Sequence, residues 1–159
     1  MIEWNVGLAD VTYGGNALPM LGDQCEVRVE EVVQELKAPA YAGETVLGLQ
    51  NNGYIVTANV SFAEDSEEVV KLALGIDGND LTDQVIGKFK QGKELIFHPR
   101  SAGSDKSKDI VIYNACIQGN LTRSYTNNQT YITVSFTAMP KEGYDLSQPD
   151  NFFRIGQSS

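Results

Sequence analysis

The segment Tyr54–Phe62 alternates without a break: Tyr54, Val56, Ala58, Val60 and Phe62 fall on one face, and Ile55, Thr57, Asn59 and Ser61 on the other. Side chains return to one face at every second residue only in an extended chain, so this stretch is a β-strand with one side turned to a core. The pattern changes directly after it. Asp65 is placed to cap a helix, with Glu68 three residues on as its capping-box partner. Val69, Leu72 and Ala73 make an apolar stripe with Val70 beside it, and Gly75 ends the helix. A helix of about ten residues, Ser66 to Leu74, is marginal alone and must be held by packing on a sheet.

Most of the remaining chain also reads as strand. Ala9–Tyr13 is followed by a Gly14-Gly15-Asn16 turn and a short return, Ala17–Met20, which Pro19 confines to an edge. Leu95–His98 and the β-branched Ile110–Ile117 flank a polar, solvated connection, Pro99–Lys108. Leu121–Thr126, an Asn127-Asn128 turn and Gln129–Ala138 read as a hairpin. Cys25–Leu36 fits two templates. Val29, Val32, Val33 and Leu36 have helical spacing, whereas Cys25, Val27 and Val29 alternate with Glu26, Arg28 and Glu30. A bulge near Glu31 would let the strand alternation resume. Lys37–Gly53 holds Pro39, Gly43, Gly48 and Gly53 and reads as a long irregular connection, a length that is often functional. The termini read as arms, 1–8 and 140–159, the second carrying the apolar cluster Phe152, Phe153 and Ile155.

With 159 residues and 42% hydrophobic content, the chain fits one domain with its own core. No apolar run reaches the roughly 18 residues of a membrane helix, and Met1–Asn5 lacks the basic and apolar regions of a secretory signal, so folding in a cytosol is expected. Cys25 and Cys116 are then expected to be reduced. The sequons at Asn59, Asn120 and Asn128 read as chance matches in that setting. A net charge of -9 opposes a dedicated nucleic-acid binder or a docker on anionic membranes. Asp77–Asp83 imitates a calcium loop, but Leu81 and Thr82 stand where an oxygen ligand and a glycine are needed. Phosphate-cradle and nucleophile-elbow motifs do not occur, and the single histidine, His98, lies in a strand beside Pro99, where a structural role is the ordinary one. No catalytic residue, metal or cofactor is expected.

Several co-linear segments resemble the tail tube proteins of bacteriophages. They are Asn5–Gly15, Leu21-Gly22 with the valine-rich Cys25–Leu36, Gly53–Phe62 running into Ala63–Leu74, Leu95–Pro99, Asp109–Ala115, Tyr131–Pro140 and Phe152–Gly156. No single segment is diagnostic; the ordered set covers nearly the whole chain. The resemblance favours a long strand for Cys25–Leu36. It implies a mainly β fold, a β-barrel-like sandwich with one flanking α-helix, terminal arms and a long loop. It also implies hexameric rings stacked into a tube, in which neighbouring subunits extend one inner sheet around the axis. Such a virion protein, assembled in the host bacterial cytoplasm, would work with tape measure, tail tip and tail terminator proteins, and double-stranded DNA would pass without specific binding.

On that basis Glu26, Glu30 and Glu35 are candidate lumen-facing acids that repel DNA phosphates. The 37–53 connection, with Pro39, Tyr41, Glu44, Leu47 and Leu49, is the candidate contact between rings, and Trp4, Phe152, Phe153 and Ile155 are candidate arm anchors on a neighbouring subunit. Tubes of type VI secretion and contractile injection systems share this fold and are an alternative, as is a tail-completion or baseplate ring that does not polymerise. A β-sandwich carbohydrate-binding module is the alternative of a different class; such modules present aromatic platforms, and the one tryptophan here, Trp4, lies in the arm.

Overall fold

The computed structural model describes residues 7–19, 21–37, 45–63, 65–76, 85–87, 89–140 and 152–156, with the side chains of residues 21 and 23 excepted. Eight strands and one helix follow in the order β1 (Ala9–Tyr13), β2 (Asn16–Ala17), β3 (Leu21–Lys37), β4 (Val46–Phe62), α1 (Glu67–Ala73), β5 (Lys93–Pro99), β6 (Ile110–Gln118), β7 (Ile132–Met139) and β8 (Phe153–Ile155). They form one antiparallel sheet in the order β2-β1-β5-β6-β7-β4-β3, with β8 pairing β6. The sheet folds over on itself: Tyr13 of β1 lies 5.1 Å, ring to ring, from Phe136 of β7, and its hydroxyl donates to the Ala115 carbonyl of β6 at 3.0 Å. This is the expected mainly β, sandwich-like fold with a flanking helix. Among the described residues it stops short of a closed barrel, because β3 and β2 remain as two ends.

The alternation of Tyr54–Phe62 sets the core. Val56, Ala58, Val60 and Phe62 are buried, as are Ile132, Val134 and Phe136 of β7 and Leu95, Phe97 and Ile112 of β5 and β6. Phe62 and Phe136 are the largest fully buried side chains, each worth about 1.5–3 kcal/mol of burial. Val69 and Ala73 of α1 close the core from the side. Ser66, not Asp65, caps this helix: the Val69 N–H donates to Ser66 Oγ at 3.3 Å, while Asp65 pairs with Arg123. Gly75 ends it as expected, in the left-handed region at φ 68°, donating its N–H to the Leu72 carbonyl. The helix end is seated tightly, since a Cβ at Gly119 would stand 2.3 Å from the Leu74 carbonyl oxygen.

Two expectations change. Leu121–Thr126 does not form a strand; residues 119–131 are irregular, and β7 begins only at Ile132. Leu121 is half-buried, but Arg123, Ser124, Tyr125 and Thr126 are exposed and give a strand no second face to bury. The connection after β3 is shorter than Lys37–Gly53, because β4 starts at Val46 and pairs with β3 over its length. Gly48 and Gly53 read as loop residues, yet Gly53 instead serves a bulge at φ 114° inside the strand. Residues 1–6 of the N-terminal arm, 38–44 of the connection and the Asp77–Asp83 stretch lie outside the described residues.

Candidate functional site

Strand alternation builds a polar outer face on β3, β4 and β7. Behind the buried row of β4, Thr57, Asn59 and Ser61 point outward, opposite Thr137, Ser135 and Thr133 of β7 and beside Arg28 and Glu26 of β3. These groups bond across the strands: Ser135 Oγ donates to Asn59 Oδ1 at 2.8 Å, and the Ser61 and Thr133 hydroxyls stand 3.5 Å apart. Arg28 lies 3.5 Å from Glu30 on the same face. The surface is therefore hydroxyl and amide in character, with two carboxylates and one guanidinium, and offers little to displace phosphate counterions.

The three candidate acids do not share this face. Glu26, opposite Asn59, and Glu30, opposite Ile55, lie on it. Glu35 is an odd number of residues further on, so it projects from the other side, opposite Leu49 and 3.9 Å from Lys37. The shift that alters register between Glu31 and Val33 places its additional residue in β4, at Asn52-Gly53, so the alternation of β3 continues through it.

Beyond the core, β3 and β4 continue as a two-stranded ribbon. Pairing with β7 covers Thr57–Phe62 of β4, whereas pairing with β3 runs on from Val56–Val29 to Val46–Lys37. Along this extension Leu36, Leu47 and Leu49 are each about two-thirds exposed, at 66%, 64% and 64%, and Val32, Val33, Val46 and Ile55 are also exposed. Val33 and Leu49 point to one side, and Val32, Leu36 and Ile55 to the other. At its base a polar clasp fixes the bend: Asn51 Nδ2 donates to Glu31 Oε2 at 2.8 Å, and the Gly53 N–H donates to Asn51 Oδ1 at 2.8 Å. Leu47 and Leu49 are the parts of the candidate inter-ring segment that are visible; Pro39, Tyr41 and Glu44 lie outside the described residues. Sequence reading missed Val32, Val33, Leu36, Val46 and Ile55 as members of this surface, although a strand apolar on both faces was its signal.

The arm anchors divide. Phe152 and Phe153 pack on the chain's own core, where Phe153 meets the Tyr54 ring at 5.8 Å and the Phe152 carbonyl accepts from the Tyr113 N–H. Ile155 remains 71% exposed, and Trp4 lies outside the described residues. No cluster of three metal-ligating side chains occurs among the described residues.

No protein-family model and no curated protein sequence matches the chain. Solved structures share its fold. The cap that terminates the tube of the anti-feeding prophage superposes with a TM-score of 0.58 at 9% identity, over 86% of this chain and 89% of that one. The sheath/tube terminator of the extracellular contractile injection system PVC, in the extended state, gives 0.57 at 9% identity, over 86% and 94%. The likeness to these two structures is one of fold.

Proposed function

We propose that this chain is a non-enzymatic ring-forming subunit of a phage tail or phage-derived injection tube, and more specifically the major tail tube protein, stacked as hexameric rings through which genomic DNA is delivered. The observation that carries this is the ribbon. Two strands that leave the sheet with apolar side chains on both faces cannot cover themselves, and so fit a binding site on another copy. The open ends at β3 and β2 support the same reading, because a head-to-tail ring joins unlike edges and closes by rotation. In the ring, the Thr, Ser and Asn face with Glu26 and Glu30 would line the passage, and DNA would slide past it without counterion-release binding. The shared fold with tube-end proteins favours a second reading within the same class: a terminator that forms one ring and does not polymerise.

Negative-stain electron microscopy of the purified chain at rising concentration separates these readings. Hollow tubes are the expected result. Single rings at every concentration would instead establish the terminator reading, and compact particles throughout would remove both.

A further inference from the structure

His98 is held at both ends of its ring. Nδ1 lies 2.5 Å from Asp109 Oδ1, and Nε2 lies 2.7 Å from the Gly103 carbonyl oxygen. A carboxylate facing Nδ1 and a carbonyl facing Nε2 both accept, and a neutral imidazole carries one N–H. Satisfying both partners therefore takes the doubly protonated ring. A neutral ring that keeps its proton toward Asp109 would turn a lone pair on Gly103 at 2.7 Å.

What this ring fastens is a defined piece of chain. After β5, Arg100–Ala102 makes one 3-10 turn, and Gly103 follows at φ 60°. The turn is closed by two backbone bonds, Gly103 N–H to Arg100 at 3.3 Å and Asp105 N–H to Ala102 at 3.0 Å. Its start is tied to the first strand, because the Arg100 N–H donates to Leu8 and Arg100 Nε to Asp10 Oδ1 at 2.6 Å. Its far end, Asp109, is 7% exposed and accepts from the Gly156 N–H just beyond β8 at 2.7 Å.

We propose that His98 is a proton-dependent latch on the Arg100–Gly103 turn: the imidazolium bridges Asp109 and the Gly103 carbonyl and keeps the turn closed, and loss of one proton lets it open. The surrounding charges fit this. Asp10 on β1 stands opposite His98 in the strand register, and Asp109 and Asp105 add carboxylates from the connection. The cations nearby are Arg100, engaged with Asp10, Lys106 and Lys108 on the connection, and Arg154 on β8 at the position opposite Val111. The bond to Asp109, ahead of that to Gly103, raises the His98 pKa above its ordinary value.

The chain has one histidine, so its ring resonances in the ¹⁵N-labelled full chain are unambiguous. The ring is expected to titrate above the free-histidine value of about 6.5. Hydrogen exchange at the Gly103 and Asp105 amides, corrected for its intrinsic pH dependence, is expected to rise by about tenfold across that midpoint. H98Q should abolish the step. A midpoint at or below about 6.5, exchange that does not change across the midpoint, or a step that persists in H98Q overturns the latch. If H98Q fails to fold, the wild-type titration and exchange decide alone.

Discussion

Asp109 is almost fully withdrawn from solvent, and its Oδ1 spends that burial on a single ring nitrogen of His98. Replacing it with alanine leaves Nδ1 facing no carboxylate. The loss should be about 1–3 kcal/mol at acidic pH, as for other charge-assisted hydrogen bonds. The sign with pH follows from the raised His98 pKa. The stabilisation is fully present below the unfolded value near 6.5 and is lost as pH rises through the folded value. Urea unfolding of wild type and D109A should therefore differ most at about pH 5.5 and less at about pH 9, where only a neutral-ring hydrogen bond to Asp109 is left to lose. An equal difference at both pH values would mean that Asp109 acts by packing alone. None of this was legible in the sequence beyond the position of His98 in a strand. The two residues are eleven apart in the chain, and only the pairing of β5 with β6 across the connection brings them face to face. The N-cap shows the same limit at shorter range. Asp65 and Ser66 are both good capping residues, and the tertiary pairing of Asp65 with Arg123 leaves Ser66 to bond the helix.

Among the elements, those with a buried face were readable and those without were not. Tyr54–Phe62 and the stripe of α1 each carry a single period, β6 is a β-branched run buried on both faces, and each appears where its pattern puts it. Cys25–Leu36 fitted two periods because, in the ribbon, β3 has no core to sort its residues by face; Val29, Val32, Val33 and Leu36 are all exposed. The connection was overestimated for the same reason, since Val46–Gly53 pairs outside the core and carries its own glycines. On the proposed function, a ribbon of this kind separates folding from assembly. Replacing both Leu36 and Leu49 by threonine keeps strand propensity at two largely exposed positions, so the unfolding free energy should move by about 0.5 kcal/mol or less. Sedimentation of the same double variant should show loss of the assembled species. A variant that assembles normally would remove the ribbon as the contact between copies.

For the whole molecule, the acidity that argued against nucleic-acid binding bears on assembly itself. Each copy carries a net charge of -9, so bringing copies into the proposed ring costs electrostatic work at low ionic strength. Salt shortens the reach of that repulsion, from about 10 Å at 0.1 M to about 3 Å at 1 M. It does not weaken the burial of Leu36, Leu47, Leu49 and Ile55, which is the attraction assigned to the ribbon. The two effects point one way, and the concentration at which assemblies first form should fall as salt rises. An interface built on ion pairs would respond in the opposite sense, since screening would weaken the attraction along with the repulsion. Sedimentation velocity across a salt series reads the threshold directly. A threshold that climbs with salt would place charge pairing, not apolar burial, at the contact between copies, and the ribbon would then be peripheral to that contact.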